Sequence, residues 1–93
     1  MKIDYVLCLY VAGASPNSSR AIANLQEICE LYLKGRYRLE IIDVYQQAER
    51  AKQESLVALP LLVKRLPLPE RKFVGDLSDR PKVLKGLGVT PGN

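Results

Sequence analysis

The feature that most constrains this chain is its first half, where two strand-like runs bracket one helix-like run. Residues 3–11, IDYVLCLYV, are apolar on both faces from Tyr5 onward, the pattern of a strand covered on both sides. Ala21, Ile22, Leu25, Ile28, Cys29, Tyr32 and Leu33 then recur at steps of three and four, forming one apolar stripe. Arg20, Asn24, Gln26, Glu27, Glu30 and Lys34 fill the polar remainder. Ser15 ahead of Pro16 is a helix start signal and Lys34-Gly35 a stop. Residues 37–44, YRLEIIDV, predict a second strand. Two strands joined by a crossover helix of this length are parallel, with a right-handed connection. With 93 residues the chain has room for a single domain built on this βαβ unit.

The second half is less decisive. Residues 46–56, QQAERAKQESL, are polar and helix-prone, with a thin apolar side at Ala48, Ala51 and Leu56. Read as sheet, the next stretch gives a strand at 61–66, a turn through Pro67-Leu68-Pro69 and a strand at 71–74. Asp79 or Ser78 then caps a last helix, with Pro81 in its first turn and Val83, Leu84 and Leu87 facing inward. A second reading stands beside this one. Pro60 can open a helix, and KVLKGLGV, weakened as a helix by Gly86 and Gly88, can serve as a strand. Residues 1–46 therefore read as a settled half, and 47–90 as a half whose ambiguity pattern alone assigns to the limit of pattern reading rather than to two accessible packings.

The loop between the first strand and helix, GASPNSS, lies where α/β proteins usually keep their chemistry. It offers no cysteine, histidine, carboxylate or glycine-rich phosphate cradle. The chain has no histidine, which excludes most metal sites and most Ser/His or Cys/His nucleophiles. Cys8 and Cys29 fit neither a CxxC pair nor a zinc knuckle and read as buried hydrophobes. No apolar run approaches a membrane span and the first residues already read as strand, so cytoplasm is the expected setting. The net charge of +4 sits wholly in the second half, densest at Lys64-Arg65 and Arg71-Lys72 around the proline turn. Such a face suits an acidic partner, protein or nucleic acid. Stacking aromatics are missing there except Phe73, whose pattern places it in a core strand, so nucleic acid is the poorer fit.

The order βαβαββα resembles the thioredoxin-like fold, with Pro60 where that fold keeps a cis-proline and Ser15-Pro16-Asn17-Ser18 in the place of its CxxC. Hydroxyls of ordinary pKa cannot replace a thiolate in disulfide exchange. More specifically, LYVAGASPNSSRAIANL, the IIDV strand, the A-x-P step and LPLPERKFVGDLSDRPKVLKGLG are similar to the KaiB family, over roughly residues 5–88. The N-terminal domain of the kinase SasA is a near alternative within the superfamily.

The resemblance implies a non-catalytic clock or regulatory protein without cofactor, metal, nucleic acid or membrane. Members switch between a ground-state fold, βαββααβ and often tetrameric, and a monomeric thioredoxin-like fold. The switched form docks on the N-terminal ATPase ring of KaiC, competes with SasA there and sequesters KaiA. By resemblance, Arg20, Lys64 and Lys72, with Arg71 beside them, face partners, and Pro60, Gly86 and Gly88 belong to the switching segment. Thioredoxin strand order makes the second strand a sheet edge, where Tyr37, Arg38 and Glu40 can accept a partner strand. Glu40 and Ser55 stand where clock members tend to carry lysine, and Gly88 replaces an aspartate. The family's acidic tail is missing from these residues. These departures favour a stably thioredoxin-like monomer, with a SasA-like adaptor or a stress-response paralogue as alternatives. A thiol enzyme using Cys8 or Cys29 is disfavoured, because neither sits at a helix start or beside an evident cation.

Overall fold

The computed structural model describes residues 2–56 and 58–89. Its elements are β1 (Tyr5–Val11), α1 (Pro16–Tyr32), β2 (Tyr37–Asp43), α2 (Ala48–Gln53), β3 (Leu61–Leu66), β4 (Arg71–Val74) and α3 (Arg80–Leu87). This is the βαβαββα order, so the segment that could also have served as a strand is helical here. The alternative order βαββααβ is not the one observed. Residues 90–93 lie outside the described residues.

The four strands run β2-β1-β3-β4. β1 pairs in parallel with β2 and antiparallel with β3, and β3 pairs antiparallel with β4. Side chains alternate across the pleat, which gives each strand a job on both faces. Tyr5, Leu7, Leu9 and Val11 of β1 join Leu62 of β3 under α1 and α3, meeting Ala21, Leu25, Ile28, Cys29, Val83, Leu84 and Leu87. Cys8 and Tyr10 point the other way and cluster with Ile42, Leu61 and Val63. β1 is thus covered on both sides, as its unbroken apolar run requires.

Local chemistry explains the boundaries. Ser15 caps α1, its Oγ accepting from the Ser18 N–H at 3.3 Å, with Pro16 at the first helical position. The apolar stripe continues to Leu33, but the helix ends at Tyr32, just ahead of the Lys34-Gly35 signal, with Leu33 as its C-cap. Asp79 caps α3 by accepting from the Lys82 N–H at 3.3 Å. Gly88 closes α3 in the left-handed region at φ 78°, so it ends the helix where the sequence reading had it weaken one. α2 is the main departure. It is six residues long, shorter than the 46–56 expectation, and none of its residues is buried, so the thin apolar side at Ala48 and Ala51 finds no core. The Leu59–Pro60 peptide is cis.

Candidate partner-binding surface

The loop after β1 is stitched shut by its own hydroxyls. Ser15 donates to Ser18 Oγ at 2.8 Å, and Ser18 Oγ accepts the Ala12 N–H at 3.1 Å. Asp43 at the end of β2 accepts the N–H of Gly13 at 3.3 Å and of Tyr45 at 2.9 Å, fixing both loops together. Gly13 takes φ +58°, and the Tyr45 ring lies 3.5 Å from where a Cβ would stand. What thioredoxins use for redox chemistry is here a cap and a brace.

The two thiols are no better placed for that chemistry. Cys29 is buried in α1, and burial followed by the nearby Glu30 carboxylate pushes its pKa up to about 12. Cys8 packs with the cluster on the opposite sheet face, where the Arg65 guanidinium lies against it, so the expectation that no cation stands beside either thiol holds for Cys29 and not for Cys8. The sheet separates the two sulfurs, and both thiols are free.

Both outer strands present edges. On β2, Arg38 and Glu40 are exposed while Tyr37, Leu39 and Ile41 lean onto the α1 side. Tyr37 donates its hydroxyl to Glu30 at 3.0 Å, and that bond, with some burial, raises its pKa. Glu40 receives both guanidinium arms of Arg50, which hold its carboxyl below the usual range. Glu40 is therefore already occupied by α2.

At the other side of the sheet the basic residues separate by face. In the β3–β4 register Lys64 lies opposite Arg71 and Val63 opposite Lys72. Arg71 is exposed, with Lys82 and Lys85, at a groove of about 360 Å³ floored by Phe73 and the half-buried Gly86. Phe73 lies at the edge of the α1/α3 core, only half-buried. Lys64 is not a surface charge: it is 4 % exposed, and burial, then the Arg71 cation, lowers its pKa. Lys72 turns to the other face and lies 3.0 Å from Glu54. Arg65 bonds Glu54 at 2.6 Å, the Tyr10 hydroxyl at 3.1 Å and Glu70 at 3.2 Å. Hence two of the four cations in the predicted cluster are already neutralised within the chain.

Arg20, on α1, pairs with Asp76 at 3.3 Å while Asn24 donates to the Asp76 carbonyl at 2.8 Å. Hydrogen bonds from Ser78, and then Arg20, hold Asp76 below its ordinary range. Glu27, one turn further, pairs with Arg80. One face of α1 thus grips the β4–α3 loop, where Leu77 takes a positive φ of 62° with its side chain buried. Gly86 allows close packing of α3 on β4: a Cβ there would stand 2.2 Å from Phe73 Cε2. The residues singled out from sequence therefore form two regions, the β2 edge and the β3–β4–α3 end, about 14 Å apart across three strand spacings. Glu54 and Asp76, the carboxylates that organise the basic residues, carry no signal in the sequence beyond the Asp-x-Ser turn at 76–78.

The family model described as the KaiB domain matches residues 8–89. The "Circadian clock oscillator protein KaiB" of a Picosynechococcus species is 53% identical over 89 residues, covering 96% of this chain and 86% of that protein. The protein of the same name from Synechococcus elongatus is 49% identical over 88 residues, covering 95% and 86%. Among solved structures, the N-terminal domain of Synechococcus elongatus SasA superposes with a TM-score of 0.73 at 24% identity, covering 100% of this chain and 91% of that one. Mitochondrial thioredoxin 3 of Saccharomyces cerevisiae gives 0.74 at 18% identity, covering 92% and 78%. The structural likenesses establish the thioredoxin-like fold, and the sequence matches establish the family: this chain belongs to the KaiB family.

Proposed function

We propose that this chain is a non-catalytic regulator of the circadian-clock type that binds the N-terminal ATPase ring of a KaiC-type protein. The observation that carries the reading is the match to clock oscillator relatives over nearly the whole chain, on a fold whose former redox loop is sealed by Ser15 and Ser18. The site consists of backbone and charge. The β2 edge, with Tyr37, Arg38 and Glu40, offers main-chain hydrogen bonds to an added strand. Arg71, with the exposed Lys82 and Lys85 beside it, supplies positive potential that steers an acidic surface and speeds encounter, while Arg20 and Lys72 turn to a partner only by giving up Asp76 and Glu54 and Lys64 stays beneath the surface. KaiA capture and competition with SasA are the further roles this surface suits, and the SasA-like fold is what makes competition for one ring plausible as chemistry of shape.

In this reading residues 1–46 are the fixed docking frame and 47–90 the half that can repack, with Pro60, Gly86 and Gly88 inside it. The thioredoxin-like form acts as a monomer, and a homotetramer belongs to the other packing. A pull-down with the KaiC-type ATPase of the same organism, incubated for hours with nucleotide, tests the proposal. The chain should be retained, and Arg71→Glu should weaken retention about tenfold through the on-rate. No retention of the unsubstituted chain would remove the proposal.

A further inference from the structure

The two faces of the sheet are covered by different physics. α1 and α3 hold their face with Ala21, Leu25, Ile28, Cys29, Val83, Leu84 and Leu87, all buried. α2, on the second face, buries none of its residues. Among the described residues, the segment around it adds only Val44, Leu56 and Leu59, each half-buried and each outside the helix. Ion pairs fix α2 at two points. Arg50 within it is forked onto both oxygens of Glu40 on β2. Glu54, directly after it and 8 % exposed, bridges Arg65 on β3 at 2.6 Å and Lys72 on β4 at 3.0 Å. Arg65 passes the contact on to Tyr10 and Glu70. Two strands on one side and one on the other are thereby tied to a helix that has no apolar anchor of its own.

We infer that residues 44–56 form an ionically clipped flap over the second face of the sheet, which opens as a unit when the Glu54 bridge is released while the α1 and α3 side stays packed. Apolar burial resists salt, whereas ion pairs at partly exposed sites weaken with it. The flap is therefore a part of the molecule whose closure depends on ionic strength. Beneath it lie Cys8, Tyr10, Ile42, Leu61 and Val63. Local opening with a free energy below that of global unfolding is the general behaviour of segments with few buried apolar contacts. The inference does not rest on any partner, and it stands or falls independently of ring binding.

The chain carries its own reporters, since Cys8 lies under the flap and Cys29 in the α1 core. The native chain is treated with N-ethylmaleimide and the two cysteine peptides are quantified by mass spectrometry. Raising NaCl from about 0.1 to 1 M shortens the screening length from about 10 to 3 Å and should speed Cys8 labelling about threefold. Glu54→Gln should speed it about tenfold at low salt, because one partner of a largely buried bridge is removed. Cys29 should not change in either case. Glu49→Gln, on the same helix and without an ion pair among the described residues, should leave Cys8 as it was. Hydrogen exchange gives a second reading: the Ala51 and Glu54 amides should exchange faster in Glu54→Gln while those of α1 keep their protection. Parallel acceleration of both cysteines, or no acceleration of Cys8, would overturn the flap.

Discussion

Lys64 carries its ammonium group on a nearly buried side chain opposite Arg71, with no carboxylate bonded to it among the described residues. Burial first, and Arg71 second, press its pKa below the ordinary 10.5. A lysine whose folded pKa is lowered destabilises the fold while it stays protonated, below that folded value. The penalty disappears as pH rises through the folded pKa to the unfolded one. Lys64→Met should therefore raise stability by about 1 kcal/mol at neutral pH. The gain, read as a difference in denaturation midpoint, should shrink as pH approaches 10.5. Gly86 poses the opposite problem. Alanine would favour the helix by about 1 kcal/mol, but its Cβ would meet the Phe73 ring. Displacing that ring costs about 1–3 kcal/mol, so Gly86→Ala should destabilise overall. A double-mutant cycle with Phe73→Leu should return a coupling of about 1 kcal/mol in the direction of relief.

At the scale of elements, the helices differ in what a change of conditions does to them. α3 depends on its left-handed terminus: Gly88→Ala should cost about 1 kcal/mol, seen as a lower thermal midpoint. α2 depends on charge. Burial pushes the Glu54 carboxyl up, but hydrogen bonds from Arg65 and Lys72 outweigh it and hold the pKa below the ordinary 4.5. A carboxylate with a depressed folded pKa stabilises the protein above its unfolded value and loses that contribution as pH falls through the folded one. The groups facing it are Arg65, Lys72 and, through Arg65, Tyr10 and Glu70. Far-ultraviolet circular dichroism across an acid titration should show stability falling below pH 4.5, and Glu54→Gln should flatten that fall. The elements also mark where sequence reading stops. β1, α1 and β2 were legible because their apolar residues keep one period and one cap each. α2 was only half legible, since a helix held by pairs to residues 10 to 18 positions away leaves no periodic trace. β3, β4 and α3 lie where the preferred βαβαββα order put them, but pattern alone left the alternative open, because LLVKRL suits both periods poorly and KVLKGLGV can serve as helix or strand. At the candidate site, the separation of Lys64 and Arg71 from Lys72 onto opposite faces follows from the pairing of β3 with β4, which the basic residue types alone do not reveal.

For the whole molecule, the same sheet carries a self-bonded β1–α1 loop and two open edges. The Ser15–Ser18–Ala12 stitching closes the β1–α1 loop on itself, and the burial of Cys29 leaves its thiol protonated at neutral pH. What the fold still offers is an outer strand, a groove lined by Arg71, Lys82 and Lys85, and a second half whose packing rests on close contacts such as Gly86 on Phe73. The account stands most directly on binding by these surfaces in this fold. Hydrogen exchange of the chain alone and in complex with the N-terminal ring of a KaiC-type ATPase measures both at once. The account predicts helical protection at residues 80–87 in both states, with new protection on binding confined to the β2 edge and the β3–β4–α3 end. A strand-like pattern at 83–88 in the complex, or a footprint centred on the Ser15–Ser18 loop, would contradict it.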